Sequence, residues 1–155
     1  MLAVKINGEM RTYPEGTPFL EIAKDFQPQY EEEILLVRVN GKLKELHKTL
    51  HEDSEISFIT YKDPVGKKTY ERSAIFIMIK AFYEVIPREK IKKVHIDFAL
   101  GNGIYGELVG DVKLDAEILQ NVKDEMISII EKKLPIMKRS VNTDDAVELF
   151  GSYGM

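Results

Sequence analysis

The chain has 155 residues, a length that fits one ordinary domain or two small ones. Its 44% hydrophobic and 31% charged residues are typical of a globular protein and exclude bulk disorder. It contains no cysteine, which excludes disulfides and a cysteine nucleophile and suits a reducing compartment. The N-terminus lacks a signal-peptide pattern and the longest apolar run, residues 74–79, is too short to span a bilayer. We therefore expect a cytoplasmic protein without a membrane partner.

Charge is distributed unevenly along the chain. The net charge of −4 falls on residues 1–63, because acidic and basic side chains balance in residues 64–155. An acidic first part is poorly suited to binding nucleic-acid phosphates, which requires lysine and arginine. Basic clusters occur in the second part, at residues 88–93, 132–133 and 138–139, and we interpret them as solvated faces.

The first 63 residues are predicted to be rich in strands. Apolar residues alternate over residues 2–6, and Asn7-Gly8 then predicts a type I′ hairpin turn. Further strands are predicted at residues 34–39, 42–46 and 55–61, with a second hairpin turn at Asn40-Gly41.

One helix is predicted between these strands. Thr17 is its expected N-cap, Pro18 its first residue and Pro28 its end. Its apolar stripe is Leu20, Ile22, Ala23 and Phe26. Strands around a single helix in about 60 residues predict a β-grasp, the ubiquitin-like roll, as domain 1–63.

A second domain is predicted over residues 67–155. The sequence Asp-Pro-Val-Gly at residues 63–66 is the natural boundary, since proline and glycine disfavour continuation of a strand. A buried helix is predicted from Arg72 to Ile86, where Pro87 ends it. A strand over residues 94–100 then turns at residues 101–103 into a strand over residues 104–109.

The rest of this domain is predicted to be mainly helical. Asp115 is the expected N-cap of a long helix that Pro135 ends. Its core stripe is Ile118, Leu119, Val122, Met126, Ile129 and Ile130. A strand over residues 136–141 and a helix from Thr143 follow, so the overall class is α+β, with an α/β second domain.

Two motifs match known binding signatures but not their context. Residues 101–106 match G-x-G-x-x-G, yet a strand follows them where a dinucleotide site needs a helix, so we predict a hairpin turn. His47 and His51 have zinc-helix spacing, but the glutamate of H-E-x-x-H is missing and the segment is a short connection. The phosphate-binding motif G-x-x-x-x-G-K-[ST] is also missing. We therefore predict no metal site and no cofactor in this chain.

His95 and Asp97 lie on one face of their predicted strand. Two interpretations stay open: an oriented acid–base pair, or a structural hydrogen-bonding role, which we favour.

Several stretches resemble a known family. The first domain resembles the TGS domain, a β-grasp module of threonyl-tRNA synthetases, some GTPases and stringent-response enzymes, at residues 6–8, 16–17, 21–24, 39–41 and 56–60. The second domain resembles the domain that follows TGS in threonyl-tRNA synthetase, at residues 70–81, 101–108, 125–126 and 134–150. The resemblance covers nearly the whole chain.

One departure from this family bears on function. In the synthetase, the second domain removes mischarged amino acid from tRNA with an H-x-x-x-H pair in its first helix and a later cysteine and histidine. Arg72 and Phe76 stand at the positions of that pair, and the chain has no cysteine. Neither side chain shuttles protons at neutral pH as imidazole does. The resemblance therefore implies an editing-like domain without catalytic residues.

A second likeness points to a larger parent protein. The stretch Gly-Ile-Tyr-Gly-Glu-Leu at residues 103–108 is similar to bacterial nucleoside kinases of the uridine kinase type, in which a TGS and synthetase-like region precedes a P-loop kinase domain. It implies a non-catalytic recognition or regulatory region whose partner is a C-terminal P-loop kinase domain. The alternatives are the N-terminal region of a threonyl-tRNA synthetase-like protein, an aminoacyl-tRNA deacylase rebuilt around His95 and Asp97, and a spacer or dimerisation unit without a ligand.

The resemblance also places a candidate binding cleft, inherited from the editing domain. Arg72, expected near a helix N-terminus, suits an anion, or else only pairs with a surface carboxylate. Phe76 and Tyr105 offer rings for stacking on a base. We expect the cleft to bind a nucleotide or a tRNA 3′ end, with Arg72, Phe76, Lys80, His95, Asp97 and Tyr105 as its residues.

Overall fold

The computed structural model describes residues 1–101, 103–134, 136–137 and 139–152, and the chain forms two compact units, Met1–Ala74 and Ile75–Met155. The division falls inside one helix, whereas the sequence boundary lies at residues 63–67, close to the start of that helix. The domains 1–63 and 67–155 therefore stay a prediction.

Unit 1 is a five-stranded mixed sheet with one complete helix and the beginning of a second. Its elements are β1 (Leu2–Ile6), β2 (Glu9–Tyr13), α1 (Phe19–Phe26), a 3₁₀ turn (Gln27–Gln29), β3 (Ile34–Val39), β4 (Lys42–Glu45) and β5 (Ser54–Thr60). The strand order is β2-β1-β5-β3-β4, with β1 and β5 parallel and the other neighbours antiparallel. This arrangement confirms the predicted β-grasp and the α+β class.

Both predicted hairpin turns are confirmed. Asn7 and Gly8 have φ angles of 51° and 85°, and Asn40 and Gly41 have 49° and 77°. A type I′ turn needs positive φ at both central residues, because its twist matches that of the flanking strands. Asparagine and glycine tolerate this conformation, so each pair fixes the register of its hairpin.

The start of α1 differs from the prediction. Pro18 is the N-cap, in extended conformation and without a side-chain cap, while the Thr17 hydroxyl donates to the Pro14 carbonyl at 2.8 Å. The helix begins at Phe19, whose ring is fully buried, and Leu20 is 45% exposed. The buried stripe is thus shifted by one residue at its start to positions i, i+3, i+4 and i+7, namely Phe19, Ile22, Ala23 and Phe26.

The core of unit 1 lies between α1 and the sheet. Burial of each large apolar side chain there contributes about 1.5–3 kcal/mol to the free energy of unfolding. The rings of Phe26 and Phe58 are 5.8 Å apart, which ties the helix to β5. The fully buried large side chains are Phe19, Phe26, Ile6, Ile22, Leu50, Ile56, Val4 and Val37.

Tyr13, at the end of β2, makes unit 1 sensitive to alkaline pH. Its hydroxyl donates to Asp25 Oδ2 at 3.0 Å, and burial together with this hydrogen bond raises the pKa of Tyr13 to about 12. An unfolded tyrosine titrates near pH ~10, so the unfolded chain releases this proton first. The free energy of unfolding should therefore fall as pH rises from about 10 to about 12, and be unaffected by Tyr13 below that range.

We expect Tyr13→Phe to remove the decrease in the free energy of unfolding that Tyr13 causes at alkaline pH. Urea denaturation at about pH 9 and about pH 11 measures this decrease. Tyr70→Phe, at an exposed tyrosine of the same unit, is the matched control and should retain the loss. An equal loss in both variants would contradict the assignment to Tyr13.

Unit 2 packs two helices against a two-stranded hairpin. Helix α2 (Pro64–Val85) begins in unit 1 and is followed by a 3₁₀ turn (Arg88–Lys90), β6 (Ile91–Leu100), β7 (Gly103–Gly110), α3 (Ala116–Glu131) and α4 (Thr143–Ser152). Strands β6 and β7 pair antiparallel. The core residues are Ala81, Phe82, Ile86, Ile91, Val122 and Ile129.

Helix α2 begins eight residues before the predicted Arg72. Pro64 suits the first turn, because its missing N–H would have no partner there. The Lys67 amide donates to the Asp63 carbonyl at 2.8 Å, which starts the helix directly after β5. The sequence at residues 63–66 is thus the start of a helix and not a linker.

The N-cap of α3 is confirmed, but part of its predicted stripe is not buried. Asp115 Oδ1 accepts a hydrogen bond from the Ile118 amide at 2.8 Å. Leu119 and Ile130 are 50% and 57% exposed, so the core side of α3 is narrower than predicted. The helix ends at Glu131, and the predicted stop at Pro135 lies outside the described residues.

The strand predicted over residues 136–141 is wrong for the residues that the structure describes there, 136–137 and 139–141; Lys138 is not among them. A strand needs a hydrogen-bonded neighbour, and in the described part of unit 2 the sheet consists of β6 and β7. The helix predicted from Thr143 is confirmed as α4, where Asn142 Oδ1 accepts from the Asp145 amide at 2.8 Å.

Candidate functional site

The outer half of the β6–β7 hairpin carries three of the six candidate residues. His95 stands opposite Glu107 in the register, and its Nε2 lies 3.9 Å from Asp97 Oδ2. Tyr105 donates its hydroxyl to Glu107 Oε1 at 2.7 Å. Alternation along each strand puts these four side chains on one face of the hairpin.

Phe98 joins this face through a break in the strand register. Between the pairs Ile96–Gly106 and Ala99–Ile104, two residues of β6, Asp97 and Phe98, stand opposite Tyr105. This is a β-bulge, which reverses the alternation after it. The Phe98 ring therefore stacks on Tyr105, with centroids 5.3 Å apart and planes at 19°.

The sequence pattern missed two residues of this group. Simple alternation predicts Phe98 on the other face, with Val94 and Ile96, and nothing in the local sequence marks the bulge. Glu107 was detectable, because it is two residues after Tyr105 on the same strand. We call His95, Asp97, Phe98, Tyr105 and Glu107 the hairpin cluster.

The charges of the hairpin cluster suit some ligands and not others. The hydrogen bond to Glu107, then the negative charges of Glu107 and Asp97, raise the pKa of Tyr105 above its ordinary value. The phenol is therefore neutral at physiological pH and lies beside two carboxylates. Such a face repels phosphate but accepts hydrogen bonds from the amino groups of nucleobases.

Two more candidate residues line a cavity between α2 and α3. Its volume is about 470 Å³, and its apolar lining includes Phe76, Ile77, Ile129, Ile130, Ile136 and Met137. Lys80 and Lys133 line the same cavity. The Lys80 ammonium donates to Glu84 Oε1 at 2.6 Å, so part of its charge is already compensated. We call this cavity the α2–α3 groove.

Arg72 lies on the part of α2 that belongs to unit 1, and its side chain is exposed. The expected position near a helix N-terminus is wrong, because α2 begins at Pro64 and its free amides lie two turns earlier. No ion pair or hydrogen bond joins its guanidinium to a residue of the described ranges. Attraction of an anion to Arg72 therefore rests on the guanidinium alone.

The structure thus groups the candidate residues in three places. His95, Asp97 and Tyr105 share the hairpin cluster, Phe76 and Lys80 share the α2–α3 groove, and Arg72 belongs to the other unit.

The His47–His51 motif and the glycine motif at residues 101–106 lie in the loop and the hairpin predicted for them. His47 and His51 lie after β4 in a segment that is not helical, with His47 Nε2 3.5 Å from Glu45 and His51 Nδ1 3.9 Å from Glu15. Gly101 has a φ of 60° at the hairpin turn, and β7 follows instead of a helix. Asn102 is outside the described residues. Over the described ranges, no three His, Asp or Glu side chains are grouped as a metal site would require.

Among the helices that the structure describes, none has the length and apolar character needed to cross a membrane.

The fold and the hairpin together define the class of this protein. It has a β-grasp unit followed by an α/β unit with an exposed aromatic hairpin. The chain is homologous over nearly all its length to the N-terminal region of threonyl-tRNA synthetases. This confirms the synthetase resemblance seen in the sequence, whereas no comparison supports the nucleoside-kinase likeness. No family model matches the chain.

Three relatives illustrate the match. The threonine–tRNA ligase of Carboxydothermus hydrogenoformans is 30% identical over 155 residues, which is 99% of this chain and 24% of the relative. That of Azobacteroides pseudotrichonymphae is 29% identical, over 96% of this chain and 23% of its own length. That of Desulforamulus reducens is 28% identical, over 93% and 22%. The chain thus spans about a quarter of the length of the curated relatives it matches.

Proposed function

We propose that this chain is the N-terminal region of a threonyl-tRNA synthetase-like protein and recognises tRNA without editing catalysis. The observation that carries the proposal is the similarity to a threonine–tRNA ligase over 99% of the chain. The proposal includes a larger parent protein, a cytoplasmic location, a TGS domain at residues 1–63 and an editing-like domain at residues 67–155.

The residues at the editing positions support a non-catalytic role. Arg72 and Phe76 stand where the resemblance places the H-x-x-x-H pair, and a guanidinium or phenyl ring has no pKa suited to proton transfer near neutral pH. The sequence has three histidines and no cysteine. His47 and His51 belong to unit 1, which leaves His95 as the histidine of unit 2.

The hairpin cluster offers a way to hold an unpaired base. Phe98 and Tyr105 are 53% and 41% exposed and already stacked, so a base can extend the stack without prior rearrangement. Asp97 and Glu107 accept hydrogen bonds from an amino group at the edge of that base. Lys92 and Lys93, exposed at the base of the hairpin, supply the positive charge that phosphates require.

This arrangement predicts that Tyr105 contributes to tRNA affinity by stacking, and Lys92 and Lys93 by their charge. Tyr105→Ala should weaken binding of uncharged threonine tRNA by about tenfold or more and leave its salt dependence unchanged, because stacking releases no counterions. Replacing both Lys92 and Lys93 by alanine should reduce the slope of log affinity against log salt by about 1.4. Fluorescence anisotropy at several salt concentrations measures both quantities.

Two further variants complete the test. Tyr70→Ala removes an exposed tyrosine of unit 1 and is the matched control for Tyr105. If the Arg72 guanidinium contacts one phosphate, Arg72→Ala should lower the slope of log affinity against log salt by about 0.7. An unchanged slope would show that Arg72 contacts no phosphate of the tRNA. Wild-type protein that binds no tRNA at millimolar concentration would refute the recognition role.

The nucleoside-kinase alternative rests on the likeness at residues 103–108. Extending the natural reading frame past residue 155 tests it directly. A G-x-x-x-x-G-K-[ST] motif there would favour a kinase parent, and class II synthetase motifs would favour the proposal above.

The deacylase alternative rests on the His95–Asp97 pair, in which His95 Nε2 lies 3.9 Å from Asp97 Oδ2. That separation is beyond hydrogen-bond distance, so Asp97 does not orient the imidazole as a general base requires. We expect no hydrolysis of mischarged threonine tRNA by the chain. Hydrolysis that His95→Ala abolishes would establish the alternative.

A further inference from the structure

A cavity of unit 1 combines carboxylates with aromatic rings. Its volume is about 480 Å³, which is within the range of small-molecule sites. The glutamates of its lining directly precede β3, and its tyrosines lie just after β5 and in α2. The residues that line it are Glu31, Glu32, Glu33, Leu35, Tyr61 and Tyr70, all of unit 1. We call this cavity the glutamate–tyrosine pocket.

The aromatic part of the pocket is an edge-to-face pair of rings. The ring centroids of Tyr61 and Tyr70 are 5.2 Å apart and their planes are at 84°. In such a pair the edge of one ring covers one face of the other, and the remaining faces are accessible here, since the two residues are 40% and 55% exposed. In the described part of the chain, lysine and arginine side chains lie over other rings and not over these two. The pocket therefore offers negative ring faces to a cation.

The carboxylates of the pocket exceed the positive charge beside them. The Lys62 ammonium donates to Glu31 Oε2. This hydrogen bond, and then the charges of Glu31 and Glu32, raise the pKa of Lys62. The Glu33 carboxylate has no ion pair or hydrogen bond with a described residue. Three carboxylates against one ammonium leave two negative charges, which suit a ligand with more than one positive charge.

The two parts of the pocket fit an alkyl polyamine better than a metal ion. A divalent metal ion needs several side-chain ligands around one point, and no three His, Asp or Glu side chains are grouped in that way over the described ranges. Ammonium groups joined by methylene chains bind at separate points instead. Their methylenes can pack against Leu35 and the tyrosine rings while the ammonium groups reach the carboxylates.

We propose that the glutamate–tyrosine pocket binds a free alkyl polyamine. One ammonium group pairs with Glu33, and another lies over a ring face of the tyrosine pair. Lys62 is an internal competitor, because its own ammonium occupies Glu31. The site is independent of the proposed tRNA recognition, since the pocket belongs to unit 1 and the hairpin cluster to unit 2.

Calorimetric titration of the whole chain with spermidine is the first test. We expect saturable binding at low salt with a dissociation constant of about 0.1–1 mM, because each contact is exposed and contributes modestly. Glu33→Gln should weaken this binding about threefold or more. Glu52→Gln removes the same charge at an exposed residue of unit 1 outside the pocket lining. This matched control should bind spermidine as the wild type does.

A second pair of variants tests the competition by Lys62. Lys62→Gln should strengthen spermidine binding about threefold, because it releases Glu31 for the ligand. Lys5→Gln is the matched control, since it releases Glu55 from an exposed ion pair outside the pocket lining. We expect Lys5→Gln to leave the affinity unchanged.

The contribution of the rings is tested at Tyr61. Tyr61→Leu should weaken spermidine binding about threefold, whereas Tyr61→Phe keeps the ring face and should retain it. Urea denaturation confirms that each variant is folded.

Three results would overturn the proposal. The first is a wild-type chain without saturable spermidine binding up to about 10 mM. The second is an equal effect of Glu33→Gln and Glu52→Gln, which would show general attraction to an acidic unit. The third is a trilysine peptide with blocked termini that binds about tenfold more tightly than spermidine, which would assign the pocket to a basic protein segment.

Discussion

Gly66→Ala should destabilise unit 1 by about 3 kcal/mol or more. An added Cβ at Gly66 would lie 1.9 Å from the Thr60 carbonyl oxygen and 2.8 Å from its carbon. Both atoms are backbone at the end of β5, so the contact is relieved only if α2 moves away from the sheet. In an ordinary helix position the same change stabilises by about 1 kcal/mol, so this contact decides the sign.

Gly151→Ala is the matched control for Gly66→Ala. Gly151 is also helical, but among the described residues outside its own helix no atom lies within 4 Å of its added Cβ. We expect it to leave the protein as stable as the wild type or more stable, by up to about 1 kcal/mol. Urea denaturation followed by circular dichroism compares the two, and hydrogen exchange of the β5 amides locates the loss. If both variants are stabilised, α2 does not approach β5 as described.

Gly110→Ala should open the base of the β6–β7 hairpin and weaken the tRNA binding that we propose for the hairpin cluster. An added Cβ would lie 2.1 Å from the Lys90 carbonyl oxygen and 3.1 Å from Ile91 Cα. Gly110 pairs with Ile91, a core residue, and the next amide, Asp111, donates to Lys90 at 2.8 Å. Separation of the strands there disturbs core packing, and we expect a loss of about 2–3 kcal/mol.

The functional consequence of Gly110→Ala follows from the same geometry. The stack of Phe98 on Tyr105 depends on the register that the hairpin base maintains, so tRNA affinity should fall together with stability. Gly103→Ala, at the turn end of β7, is the control, because the nearest contact of its added Cβ with a described residue beyond its chain neighbours is Leu100 O at 3.6 Å, an ordinary contact. Hydrogen exchange of β6 amides and tRNA anisotropy should change for Gly110→Ala alone. Unchanged tRNA affinity in a variant with an opened hairpin would remove the hairpin cluster from the proposed recognition.

The position of Arg72 shows how far local sequence signals locate a helix start. The sequence predicts a helix N-terminus at Arg72 because the apolar run is the strongest helix signal, and that run begins after Arg72. The helix instead begins at Pro64, directly after β5, and its first turn lies close to Thr60. A contact between residues on different elements leaves no periodic trace in the sequence. Because α2 begins at Pro64, its free amides lie two turns before Arg72 and do not add to the attraction of an anion there.

What the sequence determined by itself is local. Asparagine–glycine pairs specify positive φ, Asp115 specifies a helix start, and alternation or 3.6-residue spacing specifies strands and helices, because each depends on the φ and ψ preferences of a few neighbouring residues. Chain-long similarity to the synthetase region was also readable from the residues.

Only the tertiary structure decided where those elements meet. The bulge that brings Phe98 onto Tyr105, the close approach at Gly66 and the exposure of Leu119 and Ile130 depend on which surface faces each residue. The packing of separate segments determines which surface a residue faces. The free energy of this packing outweighs the small helix and strand preferences of single residues, from which local patterns are predicted.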